Sequence, residues 1–349
     1  MLIRLEGGGA ERSVGRMVDP LASRGIALTR YAIDPAWPGE EDDPDRTLTS
    51  TRLSGVRRLV VASLNLARLV RQHRPDVLHL HCEAPEIVGL LTRILTPGQR
   101  FGLVVTNHSM GSWSGRRALL GHLVSPLLKA FGAVFVDCFQ SDPPDGRDPV
   151  IFNPIGTSEA LRVTQGDGPR LVLIGRLIES KRIDAVLTAA KQAGWRHGIV
   201  IVGAGYALEP LQEASVRLGI DATFTGHQSD PWASVRSTDI FVTASAFEGE
   251  PLTLIEAIQR ELPVLASDIP GHVRVLGDHA GIFRNEPELV EILAQIISEP
   301  GLATKYKLAS RKTHQILADR DPENIASQWE SIYSGTLRTS RKFRSKDAR

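Results

Sequence analysis

The sequence predicts an α/β protein made of two doubly wound, parallel-sheet domains that face each other across a cleft. Short apolar segments rich in β-branched residues alternate with amphipathic segments along the whole chain. This is the pattern of strands that are buried on both faces and connected by helices. The length of 349 residues indicates two hydrophobic cores instead of one. A stretch rich in Pro, Gly and Asp, residues 141–169, separates the two series of elements.

Each element is predicted from its apolar period and its length. In the first series we expect strands at 2–6, 26–33, 76–81, 101–107 and 133–138, and helices near 10–24, 55–73, 84–96 and 114–131. In the second series we expect strands at 170–175, 197–203, 222–226, 239–245, 263–267 and 280–283, and helices near 183–194, 207–218, 251–261, 287–298 and 301–316.

These elements divide the chain into a first domain, 1–155, and a second domain, 156–320. A C-terminal helix with a basic tail, 321–349, is expected to return toward the first domain. The acidic, Pro-rich residues 34–45 are long for a connection in a compact domain, so they form either a flap over the cleft or a disordered segment. The basic composition of residues 338–349 favours a disordered, solvated tail.

Composition excludes several classes of function. A net charge of +1 gives no basis for nucleic-acid binding. Cys82 and Cys138 are the only cysteines; they lack metal-ligand spacing and indicate buried thiols in a reducing compartment. No apolar run approaches the roughly 20 residues that a membrane-spanning helix needs, and the first residues lack the pattern of a signal peptide. We therefore expect a cytoplasmic protein.

Two carboxylates, Glu248 and Glu256, flank a predicted strand–turn–helix junction. Glu256 lies about one turn inside the helix, and helical side chains lean toward the N-terminus. A carboxylate accepts well from two vicinal hydroxyls, so Glu256 suits a ribose, whereas Glu248 suits a sugar hydroxyl or a developing positive charge. Two glutamates at this spacing are more often solvated; the junction between them is what indicates a binding site.

The residues between the two glutamates suit a phosphate. Pro251 is favourable in a first helical turn, and Gly249 lets the backbone pass close to a ligand. The N–H groups of Leu252 and Thr253 would then point toward an anion such as a diphosphate. Glu250 follows the glycine in the same turn.

Positive charge for that diphosphate comes from a second strand–turn–helix stretch. Gly175 ends a predicted strand, Arg176 follows it, and Lys181 lies five positions further on. Both cations can reach one diphosphate from this loop, Arg as a planar fork and Lys as a point charge. The alternative is that both are solvated loop charges.

Taken together, these stretches resemble the retaining nucleotide-sugar glycosyltransferases of the GT-B fold, family 4, which have two Rossmann-like domains. The resemblance rests on GRLIESKRID at 175–184, IVGAGY at 201–206, EGEPLTLIEA at 248–257 and LPVLASDIPG at 262–271. It continues in LEGGGAERSVGRM at 5–17, VTNHS at 105–109 and VIFNPIG at 150–156.

The resemblance implies a role for each matching residue. Glu248 and His108 would lie at the transferred sugar and the reacting bond. The donor nucleotide and sugar would contact Arg176, Lys181, Gly203, His227, Gly249, Glu250, Leu252, Thr253 and Glu256. Gly8 and Gly9 would form the loop that contacts the diphosphate or the acceptor from the other domain. Neither a metal nor another cofactor is implied, because fixed protein charges stabilise the diphosphate.

The sequence also departs from the family. Arg182 stands where Gly usually follows the lysine, Pro154 stands where Gly is usual, and Arg274 occupies a position where members commonly have Glu. Pro20 falls inside the first predicted helix, which costs about 3 kcal/mol unless the helix restarts there. Because Arg274 reverses the charge at that position, the identity of the donor is not predicted by the resemblance alone.

Two further patterns have alternative readings. His79 and His81 alternate onto one face of a strand, but no third ligand is nearby in the sequence, so we interpret them as packing residues; two aspartate pairs, Asp43/Asp45 and Asp319/Asp321, are likewise not read as metal sites. The helix near 114–131 has an apolar face beside basic residues, so it either lies on an anionic membrane surface or packs on its own sheet. That face comprises Leu119, Leu120, Leu123, Val124, Leu127, Leu128 and Phe131, with Arg116, Arg117 and Lys129 beside it.

The prediction is an enzyme that transfers a hexosyl or N-acetylhexosaminyl group, with retention of configuration, from a nucleotide-diphosphate sugar to a hydroxyl of a glycan or lipid-linked glycan. A UDP-sugar is favoured over a GDP-sugar, and closure of the two domains is expected to exclude water. The expected setting is the synthesis of cell-surface polysaccharide or glycolipid, with peripheral contact to an anionic membrane. The alternatives are a nucleotide-sugar epimerase of the same architecture and a non-catalytic nucleotide-sugar-binding subunit.

Overall fold

A computed structural model describes residues 9–34, 46–49, 53–108, 113, 118–139, 148–156 and 168–346. The chain forms two compact units. The first contains the residues up to Pro154 together with those from Arg320 onward, and the second runs from Ile155 to Asp319.

Helices and strands alternate through both units. The strands are β1 Val77–His81, β2 Gly102–Asn107, β3 Val134–Asp137, β4 Leu171–Ile174, β5 Ile199–Val202, β6 Ala222–Gly226, β7 Ile240–Thr243, β8 Val264–Ser267 and β9 Ile282–Phe283. The helices are α1 Gly9–Arg16, α2 Val18–Ser23, α3 Gly55–His73, α4 Glu83–Leu95, α5 Ala118–Ala130, α6 Ile183–Ala193, α7 Leu208–Leu218, α8 Leu252–Gln259, α9 Pro270–Leu276, α10 Glu286–Ser298, α11 Leu302–Ile316 and α12 Pro322–Lys346.

The first unit has a parallel sheet in the order β1-β2-β3, covered on both faces. Strand alternation directs Leu78 and Leu80 into one apolar layer with α3, α4 and α5. Val104 and Val136 point to the other face, where they pack with α2 and α12. The sheet therefore positions the side chains at its strand ends between two helical layers.

The second unit has a six-stranded parallel sheet in the order β6-β5-β4-β7-β8-β9. Two large apolar clusters pack on its faces. The chain runs outward from β4 in one direction and from β7 in the other. The reversal of strand order between β4 and β7 is the position at which open α/β sheets bind ligands, beyond the carboxyl ends of the strands. The predicted parallel α/β architecture is confirmed.

Three predictions about elements were wrong or incomplete. The strand expected at 26–33 is not formed; among the described residues only Ala32 bridges to Thr47. Pro20 lies in the first turn of α2, because the first helix ends at Arg16 and a new one starts at Val18. The basic tail is not disordered as a whole, since α12 continues to Lys346. Helix α9 was not predicted.

Some predictions fall on residues that the structure does not describe. The strand at 2–6, the acidic stretch from 35 to 45, and residues 114–117 of the amphipathic helix lie outside the described residues.

Candidate functional site

The loops that follow β4 and β7 meet at the reversal of strand order in the second unit. The backbone N–H of Ala246 donates to the carbonyl of Ser180 over 2.8 Å, which joins the two loops directly. The Lys181 ammonium forms an ion pair with the Glu248 carboxylate, and both side chains are largely buried. Two residues with separate predicted roles, one at the diphosphate and one at the sugar, thus contact each other.

Both hydrogen bonds to Glu248 in the described part of the chain fall on the same carboxylate oxygen. Oε1 accepts from Lys181 and, over 2.8 Å, from the hydroxyl of Ser245. One oxygen is therefore fixed by the protein, so these contacts define the orientation of the carboxylate.

A buried histidine, His272, lies behind this carboxylate. Its Nδ1–H donates to the carbonyl of Ser267 over 2.9 Å, and the Ser267 hydroxyl donates to the carbonyl of Ser245 over 2.8 Å. Burial lowers the pKa of His272 to about 4, against a smaller opposing effect of its bond to Ser267. The imidazole is therefore neutral at physiological pH. Sequence reasoning missed His272; its only signal is its position just after IPG.

A glycine allows the loop after β8 to reach the Glu248 loop. A Cβ atom at Gly271 would lie 2.5 Å from the carbonyl oxygen of Glu248, so any side chain there would displace the backbone. The segments that follow β4, β7 and β8 thus converge on Glu248.

Glu256 is buried, with 2% of its surface exposed. Its Oε2 accepts from the indole N–H of Trp232 over 2.8 Å, and the Arg260 guanidinium lies 4.7 Å from the Trp232 ring centre. A carboxylate can accept several hydrogen bonds, so this contact is compatible with the predicted ribose role, which stays a prediction. Trp232 was not predicted, because it lies in an irregular loop after β6.

The start of α8 has the predicted arrangement, shifted by one residue. Pro251 caps the helix from an extended conformation, and the helix begins at Leu252. The carbonyl of Pro251 accepts from the N–H groups of Leu254 and Ile255, so those of Leu252 and Thr253 precede the helical ladder. Gly249 is buried and Glu250 is half-buried in the turn before it.

The remaining donor-site candidates of the second unit lie at strand ends. Gly203 follows β5 at φ 145°, and a Cβ atom there would lie 1.8 Å from the carbonyl oxygen of Gly175. Gly203 is therefore required for close packing of two loops, whatever it contacts in a ligand. Arg176 and His227 are exposed beyond β4 and β6.

Arg182 shows why glycine is usual after the lysine. It adopts φ 48° and ψ 42°, a left-handed conformation, between a single 3-10 turn and α6. Residues other than glycine pay a steric penalty of roughly 1–2 kcal/mol there.

Three histidines cluster in the first unit, two of them in β1 and one just after β2. His79 contacts the hydroxyls of Tyr333, at 2.9 Å, and Thr106, at 2.6 Å. His81 Nδ1 lies 2.9 Å from His108 Nε2. Burial lowers the pKa of all three imidazoles, that of His108 to about 4. The structure thus brings His108 next to the pair that the sequence read as packing residues.

A cavity of about 830 Å³ in the first unit includes these histidines in its wall. Trp329 and Tyr333 of α12 line it as well. Gly9 is the first residue of α1, and Gly8 lies outside the described residues. Within the described ranges, no group of three or more His, Cys, Asp or Glu side chains is placed to hold a metal ion.

In the part of the chain that the structure describes, no helix combines the length and the apolar character required to cross a bilayer.

Two family models match successive parts of the chain. Residues 7–141 match the model described as Glycosyltransferase Family 4, and residues 161–313 match Glycosyl transferases group 1. The second match includes the loops around Lys181, Glu248 and Glu256.

Individual relatives are more distant. A lipopolysaccharide 1,6-galactosyltransferase of Escherichia coli K12 is 29% identical over 38% of this chain and 43% of its own length. The chain thus matches less than half of that relative.

Solved structures align over nearly the whole chain. Sucrose-phosphate synthase of Thermosynechococcus elongatus aligns with a TM-score of 0.70 at 20% identity, over 97% of this chain and 96% of that one. HepE of Anabaena in complex with UDP-glucose aligns with a TM-score of 0.71 at 17% identity, over 96% and 99%. At these identities the likeness establishes the fold.

Proposed function

Because the chain belongs to the GT-B glycosyltransferases of group 1 and family 4, we propose that it transfers a sugar from a nucleoside-diphosphate sugar to a hydroxyl of a glycan or lipid-linked glycan. One observation carries the proposal: Lys181 and Glu248 meet at the reversal of strand order between β4 and β7. A cation for the diphosphate and a carboxylate for the sugar are thereby held within one site.

Departure of the diphosphate is the costly step, because negative charge develops on its oxygens. Lys181, Arg176 and the N–H groups at the start of α8 are fixed donors for that charge. In this proposal they replace a divalent cation, so transfer is independent of metal.

Glu248 faces the positive character that develops at the anomeric carbon. The hydroxyl of Ser245 orients this carboxylate, so little reorganisation of Glu248 is needed as charge develops. In the donor complex, Lys181 shifts its contact toward the diphosphate, and configuration is retained.

A UDP-sugar is the proposed donor, and synthesis of a cell-surface polysaccharide or glycolipid is the proposed setting. The support is the UDP-glucose complex of HepE and the lipopolysaccharide galactosyltransferase among the relatives. A lipid-linked acceptor would place the enzyme at the cytoplasmic face of a membrane.

The test is donor turnover by the purified protein with UDP- and GDP-sugars, with and without a glycolipid acceptor. We expect sugar transfer that requires acceptor, persists in excess EDTA and gives a product with the anomeric configuration of the donor by NMR. Conversion of the donor to an epimer without acceptor would favour an epimerase. Binding without turnover of any donor would favour a non-catalytic subunit.

A further inference from the structure

The outer surface of the first unit has an uneven distribution of apolar side chains. Within the described residues, every large hydrophobic side chain of this unit that is exposed lies on α3, on α4 or on α5 and the residue after it. These residues are Val56, Val60, Leu64, Ile94, Leu95, Leu119, Leu120, Leu123, Leu127 and Phe131. Clustered exposed apolar residues of this kind mark an interaction surface.

The ridge on α5 is the most pronounced part of this surface. Leu119, Leu123, Leu127 and Phe131 are spaced by four residues and therefore line one side of the helix. Their exposed fractions are 81%, 59%, 39% and 43%. The opposite side of α5, including Val124 and Leu128, packs on the sheet. The predicted packing of this helix on its own sheet is confirmed, and its other face has no cover in the described chain.

Helix α3 adds a second apolar ridge bordered by positive charge. Val56, Val60 and Leu64 are again spaced by four residues. Arg57 and Arg68 are exposed beside them, and the helix contains no acidic residue.

Direct contacts join the three helices into one layer. Arg71 at the end of α3 donates to the carbonyl of Leu95 over 2.7 Å. Arg93 of α4 lies 6.0 Å from the ring centre of Phe131. All three helices also share one core cluster on the same face of the sheet.

These three helices carry few acidic groups of their own, and Asp34 and Asp148 pair with Arg58 of α3 and Lys129 of α5. Helix α5 contains none, and the two in α4, Glu83 and Glu86, accept from the backbone and indole N–H groups of Trp113. The layer therefore combines apolar ridges with exposed cations and few exposed anions.

We propose that the outer surface of α3, α4 and α5 docks on an anionic lipid bilayer, with the α5 ridge inserted among the acyl chains and the arginines at the headgroups. An interfacial helix binds through buried apolar area and through attraction to anionic lipid, and this layer supplies both. The proposal rests on the proposed function in one respect, the lipid-linked acceptor.

The test is co-sedimentation of the full chain with phosphatidylglycerol–phosphatidylcholine vesicles and with pure phosphatidylcholine vesicles. We expect binding to the anionic vesicles that weakens with salt. The double variant Leu119→Glu/Leu123→Glu should lower partitioning by at least about tenfold. Arg57→Gln/Arg68→Gln should lower it by roughly fivefold for each arginine.

The second unit offers a matched control. Val216 of α7 and Leu308 of α11 are 81% and 56% exposed, close to the values of Leu119 and Leu123. Val216→Glu/Leu308→Glu should leave vesicle binding unchanged. Equal loss in both double variants would overturn the proposal.

Two other outcomes would also overturn it. The first is wild-type protein that does not bind anionic vesicles at low salt. The second is a homodimer without lipid binding that Leu119→Glu/Leu123→Glu dissociates, which would assign the surface to a second copy. Calorimetric UDP affinity, measured without vesicles, should be equal in all variants. A failure of the membrane proposal is therefore distinguishable from a failure of the donor site.

Discussion

At the scale of single residues, the candidate site depends on how Glu248 is held. Ser245 donates to the oxygen that Lys181 also contacts, and hydrogen bonds to charged groups contribute about 1.5–3 kcal/mol. We expect Ser245→Ala to lower kcat by roughly tenfold or more with little change in donor KM. Ser215→Ala is the control, because Ser215 is a buried serine of α7 that bonds only within its own helix in the described structure. Equal kcat in both variants would contradict this role.

Glu256 is the residue on which nucleotide affinity should depend. Glu256→Gln keeps the size of the side chain and an oxygen for the Trp232 indole, but it removes the charge that strengthens bonds to ribose hydroxyls. The expected result is a UDP Kd raised by roughly tenfold or more in calorimetry. Glu261→Gln, just beyond α8, removes a carboxylate paired with exposed Arg311 and should leave Kd unchanged. An unaltered Kd for Glu256→Gln would exclude the ribose contact.

For each residue of the site, the sequence predicts only its place relative to the neighbouring strand or helix. Glu248 follows a strand and Lys181 follows another, so each could be placed at a strand end from sequence. Their pairing could not be predicted, because 67 positions separate them and the order of strands in the sheet brings them together. Trp232 and His272 do not belong to any periodic sequence pattern, so the sequence alone does not single them out.

At the scale of elements, the loops after β4 and β5 require glycine. Gly203→Ala would bring a Cβ atom into the carbonyl of Gly175, so we expect the free energy of unfolding to fall by roughly 2–5 kcal/mol. Gly226→Ala tests conformation alone, since Gly226 also has a positive φ but has open space around its Cβ position. That control should cost about 1–2 kcal/mol. Equal destabilisation in denaturant titrations would contradict the close approach.

Elements were predicted best where apolar runs are buried on both faces. The strands of the second sheet were all placed to within two residues of each end. Residues 26–33 have a similar composition but lack a ladder in the described structure, because strand formation requires a lateral partner that local sequence does not supply. The tail was missed for a different reason, because its basic composition gave no sign that it continues α12.

At the scale of the whole molecule, buried histidines make stability depend on pH. Burial lowers their native pKa values below the unfolded value of about 6.5, and to about 4 for His108, His272 and His279. Between pH 4 and 6.5 the unfolded chain therefore binds more protons, so stability falls as pH falls through this window. The residues concerned are His79, His81, His108, His272 and His279.

One carboxyl group opposes this trend. Burial raises the pKa of Glu86 to about 7, so its contribution increases as pH falls. Five histidines outweigh it, and denaturant titrations from pH 7 to 4.5 should show decreasing stability. His279→Gln should reduce the slope near pH 5 by about 1.4 kcal/mol per pH unit. A flat or rising stability on acidification would contradict the assignment of neutral buried histidines.

The central claim is that the site between β4 and β7 binds the diphosphate of a nucleotide sugar. The most direct measurement is calorimetric titration of UDP and of uridine into wild-type protein and into Arg176→Gln/Lys181→Gln. The account predicts that the double variant loses UDP affinity by roughly a hundredfold or more, while uridine affinity is unchanged. Equal UDP affinity in the two proteins, or no UDP binding by the wild type, would contradict it.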